Sequence, residues 1–94
     1  MLEKVKLALR ISHDALDSDI ENTIDAARAE LVRSGVSKEK ANSNDVLVEN
    51  AIKTYCLFVY TNDDKRAQGF FESWQYQLDN LRKSSEYNTE GSDS

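Results

Sequence analysis

The sequence predicts an all-α fold: one helical domain over residues 1–83 and a disordered acidic tail over 84–94. Three observations predict it. The chain has no proline and only three glycines, so little interrupts a helix over most of its length. Apolar residues recur three and four positions apart, the spacing that lines one face of an α-helix. Residues whose side chains cap helices, such as Ser12, Asp14, Asn62, Asp63 and Asp64, stand where two of those runs begin. Four helices are expected, at 2–9, 15–34, 45–61 and 65–83.

The first is short, with Leu2, Val5 and Leu9 on one side and Glu3, Lys4 and Lys6 turned toward water. In the segment ISHDALDSD, Ser12 and Asp14 can cap a second helix, and Asp17 and Asp19 favour the positive end of its dipole. Leu16, Ile20, Ile24, Ala27 and Leu31 form the inward face of that helix, and Gly35 is a natural left-handed stop. The polar stretch VSKEKANSN then reads as an exposed loop with room for a short turn. A third helix follows, whose apolar stripe, including Ile52, Tyr55, Phe58 and Val59, widens until YCLFVY leaves no polar side. A helix apolar all round is buried all round, so it is expected at the centre with the other three packed about it. Burying Leu57, Phe58 or Val59 stabilises by ~1.5 to 3 kcal/mol each, against ~5 to 15 kcal/mol for a whole domain. Asn62, Asp63 and Asp64 end this run and can cap a fourth helix, where Phe70, Phe71, Trp74, Leu78 and Leu81 recur at helical spacing. Gly69 in that helix costs ~1 kcal/mol relative to alanine, which a close helix contact would explain. The expected core is thus Leu16, Ile20, Ile24, Leu31, Ile52, Tyr55, Phe58, Val59, Phe71, Trp74 and Leu78.

Composition narrows the function. Ninety-four residues suit one modest core, and acidic residues outnumber basic ones by 17 to 12. That balance repels a phosphate backbone at long range, which argues against tight nucleic-acid binding and against docking on anionic membranes. No run approaches the ~18 apolar residues of a membrane span. The opening MLEKVKLALRISHD has no apolar core of a signal peptide, and the lone Cys56 has no disulfide partner, so a reducing interior is the expected setting. Cys56, inside the apolar run, reads as a small buried hydrophobe.

Chemistry is sparse. His13 is the only histidine and reads as a solvent-facing or capping residue, with no partner to complete a metal site. Glu21 and Asp25 lie one turn apart, but such pairs on the polar side of an amphipathic helix are ordinarily solvated. The cluster Phe70, Phe71, Trp74 and Tyr76 could stack on bases, yet no basic groove accompanies it, so core packing or a protein contact is preferred. No phosphate loop or nucleophile motif occurs. A non-enzymatic helical binding or structural module, without metal or cofactor, is the expectation.

Read in order, LEKVKLALRISHDALDSDI, LVRSGV, LVENAIKTYCLFVYTNDD and FFESWQYQLDNLRKSSEYN resemble the small head-tail connector, or adaptor, proteins of long-tailed bacteriophages and prophages, the Firmicutes type most of all. The resemblance covers about residues 2–88, and its most specific pieces are LRISHDALD and the pattern F-x-x-S-W-x-x-x-L. It departs from the family at TNDDKRAQG, where members often carry a proline. What it implies is a virion part without enzymatic activity, made in the bacterial cytoplasm and built into the particle. Subunits would associate as a ring under the portal protein of the filled head, extend the channel through which DNA passes, and present a surface to a neck or tail completion protein. An acidic wall suits such a channel, since DNA must pass without sticking. The loop and the tail then become segments that order on assembly, with Lys38, Glu39, Lys40, Arg82, Lys83 and Tyr87 as partner contacts; their other reading is ordinary solvated surface. The alternative function is a small intracellular regulatory helical module that binds another protein or nucleic acid, which the identity of the neighbouring genes would distinguish.

Overall fold

Five helices form: α1 (Leu2–Leu9), α2 (Asp17–Arg33), α3 (Lys38–Ala41), α4 (Val46–Tyr60) and α5 (Asp64–Lys83). The structure is a computed structural model and describes residues 1–88. The all-α expectation therefore holds, with one more helix than the four anticipated.

Helix α1 buries Val5 and closes in a left-handed turn at Arg10, φ 60°. The Arg10 N–H donates to the Leu7 carbonyl at 3.1 Å and the Ile11 N–H to the Lys6 carbonyl at 2.9 Å. Lys6, expected to face water, is instead buried, with Nζ 2.8 Å from Asp17 Oδ1. That ion pair joins α1 to the start of α2. Ser12 and Asp14 do not cap α2: its N-cap position falls on Leu16, which offers no side-chain acceptor, and the helix starts at Asp17. Ile20, Ile24, Ala27 and Leu31 are buried along α2, as their spacing predicts.

Two residues past the end of α2 the chain turns at Gly35, φ +115°, and Val36 N–H reaches back to the Leu31 carbonyl at 3.0 Å. The following stretch is no exposed loop. Val36 and Ala41 are fully buried, Ser37 Oγ accepts from the Lys40 N–H at 3.2 Å to start α3, and the Arg28 guanidinium donates to the Ala41 carbonyl at 2.8 Å. Two apolar residues in a polar run are enough to fasten it, provided both point inward.

Helix α4 begins at Asp45, whose Oδ1 accepts from the Leu47 and Val48 N–H groups at 2.9 and 3.3 Å. It touches α1, α2 and α5 and so occupies the centre. Lys4 pairs with Glu49, while Leu9 and Leu57 line one cleft, so α1 runs parallel to α4. Thr23 meets Tyr60 and Arg28 meets Ser43, so α2 runs antiparallel to it. Gln77 donates to Thr54, and Phe58 meets Phe71, so α5 is antiparallel as well. Val48, Ala51, Ile52, Cys56 and Trp74 are buried between these elements, and Leu16, Tyr55 and Leu78 pack partly buried against them.

The idea that α4 is buried all round fails at its last turn. Val59 is 46% exposed and Phe71 38% exposed, so neither belongs to the core, and Phe58 is only partly covered. Three neighbouring helices cannot surround a fourth completely, and α4 is left uncovered at Val46 and Leu47 as well as at the α4–α5 turn. Gly69 makes no close contact either: a Cβ there would meet nothing within 4 Å.

The tail boundary moves. Ser84–Asn88, placed in the disordered tail by the sequence, packs against the helices through an antiparallel bridge between Val36 and Asn88 and a 2.7 Å bond from Ser37 N–H to the Tyr87 carbonyl. An aromatic ring amid polar neighbours is what anchors it. The rest of the expected tail, 89–94, lies outside the described residues.

Candidate assembly surfaces

One end of the molecule is organised around a carboxylate. Asp45, while capping α4, also accepts the Tyr87 hydroxyl at 3.0 Å on Oδ1 and 2.9 Å on Oδ2. Lys40 Nζ lies 5.0 Å above the Tyr87 ring, 3.9 Å from Asp45 and 4.0 Å from Glu86. Burial pushes against ionisation of Asp45, but the hydrogen bonds from Tyr87, Val48 and Leu47 and the Lys40 charge outweigh it, and its carboxyl sits below the usual range. Burial and the same carboxylate push the Tyr87 hydroxyl up to about 12. Tyr87 is thus an internal fastener with its ring buried, which corrects its assignment as a partner contact.

The other assigned contacts separate into two groups. Lys38 and Glu39 are exposed on α3, next to the half-covered Lys40. Arg82 and Lys83 are exposed at the end of α5, both held to Asp79, at 2.6 and 2.8 Å. These two cations share the one charge of Asp79, and Glu49 is paired within the chain as well: the Lys4 ammonium 2.6 Å away overcomes burial and lowers its carboxyl.

At the opposite end, α1 and the α4–α5 turn enclose a cleft of about 640 Å³ whose wall includes Arg10, Leu57, Tyr60, Asp63, Arg66 and Phe70. The Arg66 guanidinium lies 5.9 Å over the Phe70 ring. Sequence reasoning missed this cleft; the one available signal was the lack of a glycine after Leu9, where α1 must stop.

Apolar surface is spread over several faces. Leu7 on α1 is 81% exposed and Tyr76 on α5 is 71% exposed, and Val46 and Leu47 protrude at the start of α4. Leu47, Asn50, Tyr76, Gln77, Asn80 and Leu81 line a groove of about 300 Å³ between α4 and α5. Phe58, Phe71, Trp74 and Tyr55 form a ladder of ring contacts, with centroids 4.9 to 6.5 Å apart, rather than a stacking platform.

Residues with catalytic potential are scattered. His13 is exposed, its Nδ1 accepting from the Ala15 N–H at 3.3 Å. Glu21 and Asp25 face solvent. Cys56 is buried, and burial pushes its thiol up to about 11. Among the described residues no group of His, Cys, Asp and Glu is arranged to hold a metal ion, and no helix is long and apolar enough to cross a membrane.

A family model described as Phage connector protein matches residues 1–91 of the chain. No curated protein and no solved structure matches it.

Proposed function

The chain belongs to the phage connector protein family, and from that premise we propose that it is a non-enzymatic virion protein that docks as a ring under the portal and joins the filled head to neck or tail components. The observation that carries this reading is the family match over nearly the whole chain, residues 1–91. The surface supports it. A subunit that contacts neighbours on both sides, a portal above and a neck component below needs several separate contact faces. Here Leu7, Tyr76, Val46 and Val59 expose apolar side chains from α1, α5 and both ends of α4. The net charge of −5 supports a channel position, because DNA moves past a wall that does not hold it.

The test is direct. Purified portal rings are mixed with the chain and examined by sedimentation and electron microscopy. The expected result is added mass and an extra ring of density on one face of the portal. Portal that keeps its mass and shows no new density at saturating concentration rejects the proposal.

A further inference from the structure

The cleft at the α4–α5 turn holds two positive charges with no counter-charge of their own. Among the described residues Lys4, Lys6, Arg33, Lys40, Arg82 and Lys83 enter ion pairs; Arg10 and Arg66, like Arg28, Lys38, Lys53 and Lys65, enter none, and these two line the same cleft. The carboxylate in the cleft wall, Asp63, is engaged in capping α5 through the Arg66 N–H at 3.1 Å. Arg10 occupies a left-handed backbone position that favours glycine, φ 60°. Tyr60 and Phe70 line the same cleft, the Phe70 ring beneath the Arg66 guanidinium. A short acidic segment is the complement of such a cleft.

The chain carries one. Residues 84–94 include Glu86, Glu90 and Asp93 and no lysine or arginine. Its point of departure is known: Tyr87 is tied to Asp45 at the start of α4, and Asn88 Nδ2 donates to the Arg82 carbonyl at 3.0 Å. The cleft is at the far end of α5. The helix from Arg66 to Arg82 spans ~24 Å at its regular rise, while the chain from Asn88 to Asp93, fully extended, covers at most ~18 Å. Glu90, only two residues past Asn88, therefore falls short of its own cleft even with its side chain and that of Arg66 extended.

We propose that residues 89–93 of one copy dock, through Glu90 and Asp93, in the Arg10–Arg66 cleft of the next. Donor and acceptor lie at opposite ends of the subunit, so the contact is head-to-tail and closes into a ring when the rotation permits. This deepens the connector reading by naming a contact between neighbouring subunits, and it rests on that reading only for the place of the ring in the particle.

Sedimentation velocity of the full chain over rising concentration, at low and high salt, tests it. Self-association is expected at low salt and is expected to weaken as salt rises. The pair Arg10→Glu/Arg66→Glu weakens it at least about tenfold, and so does Glu90→Lys/Asp93→Lys. Mixing these two variants restores association, because each tail then meets a cleft of opposite charge. Circular dichroism confirms that both variants remain helical. A chain that stays monomeric at every concentration, or variants that associate like the parent, overturn the proposal. Duplex DNA that binds the parent but not the cleft variant, with self-association unchanged, reassigns the cleft to phosphate and also overturns it. Portal binding is measured separately: its loss with self-association intact sinks the connector reading alone, and the reverse sinks this contact alone.

Discussion

The Asp45 carboxylate serves two parts of the chain at once, the first turn of α4 and the hydroxyl of Tyr87. Its pH behaviour follows from the directions of the two shifts. Asp45 titrates lower in the folded chain than in the unfolded one, so its contribution is present above the ordinary carboxylate value of ~3.9 and is lost as pH falls through the folded value. Tyr87, raised to about 12, contributes fully below its ordinary value of ~10 and loses that contribution as pH climbs through the folded one. Tyr87→Phe is therefore expected to lower urea stability at neutral pH by ~1 kcal/mol and to flatten the decline at both pH extremes. Urea midpoints across that range check it, and parallel profiles for the two proteins would refute it. Arg10 gives a second test. Arg10→Gly removes the left-handed strain and should raise stability by ~1 kcal/mol, while stripping one charge from the cleft. Thermal unfolding should show a higher midpoint, and sedimentation weaker association; a variant less stable than the parent would mean that the Arg10 side chain supports the fold.

Among elements, the two described glycines behave oppositely. At Gly35 space is ample, since a Cβ there would lie 3.8 Å from Arg82 Cβ, but φ +115° is hostile to a side chain. Gly35→Ala should cost ~1 to 2 kcal/mol. At Gly69 the helix is regular and the space open, so Gly69→Ala should add ~1 kcal/mol. Chemical denaturation of both variants checks the pair, and a like sign for both would overturn the backbone explanation. Sequence spacing located the four long helices because each has an apolar face with a regular period. It misjudged the caps of α2, whose N-cap position falls on Leu16, and the exposure of Lys6, which is buried in an ion pair with Asp17 that no local pattern reveals. It also passed over α3, whose four residues are too few for a period to appear.

At the scale of the whole molecule, 45 × 26 × 18 Å, Ser84–Asn88 ties the end of α5 to the α2–α3 segment and the start of α4. Truncation after Lys83 should remove the buried Tyr87 ring and cost ~2 kcal/mol, whereas truncation after Asn88 should keep that ring in place and abolish head-to-tail association. Calorimetry and sedimentation of the two shortened chains separate fastening from docking; equal stability for both would show that the segment fastens nothing. The candidate surfaces were hardly legible beforehand. Lys38, Glu39, Arg82 and Lys83 could be named as charged and exposed, but whether a charge is already answered depends on neighbours distant in the chain, as Lys4 and Glu49 show. By itself, the order of helical spacings, caps and the aromatic pattern of the last helix determined the all-α class and the resemblance to phage connectors, because periodicity and local capping act within a few residues. Only the tertiary structure decided that Tyr87 is internal, that Val59 and Phe71 face outward and that Arg10 and Arg66 share a cleft. Burial and charge pairing are properties of surfaces brought together by packing, and no short stretch of sequence contains both sides of such a contact.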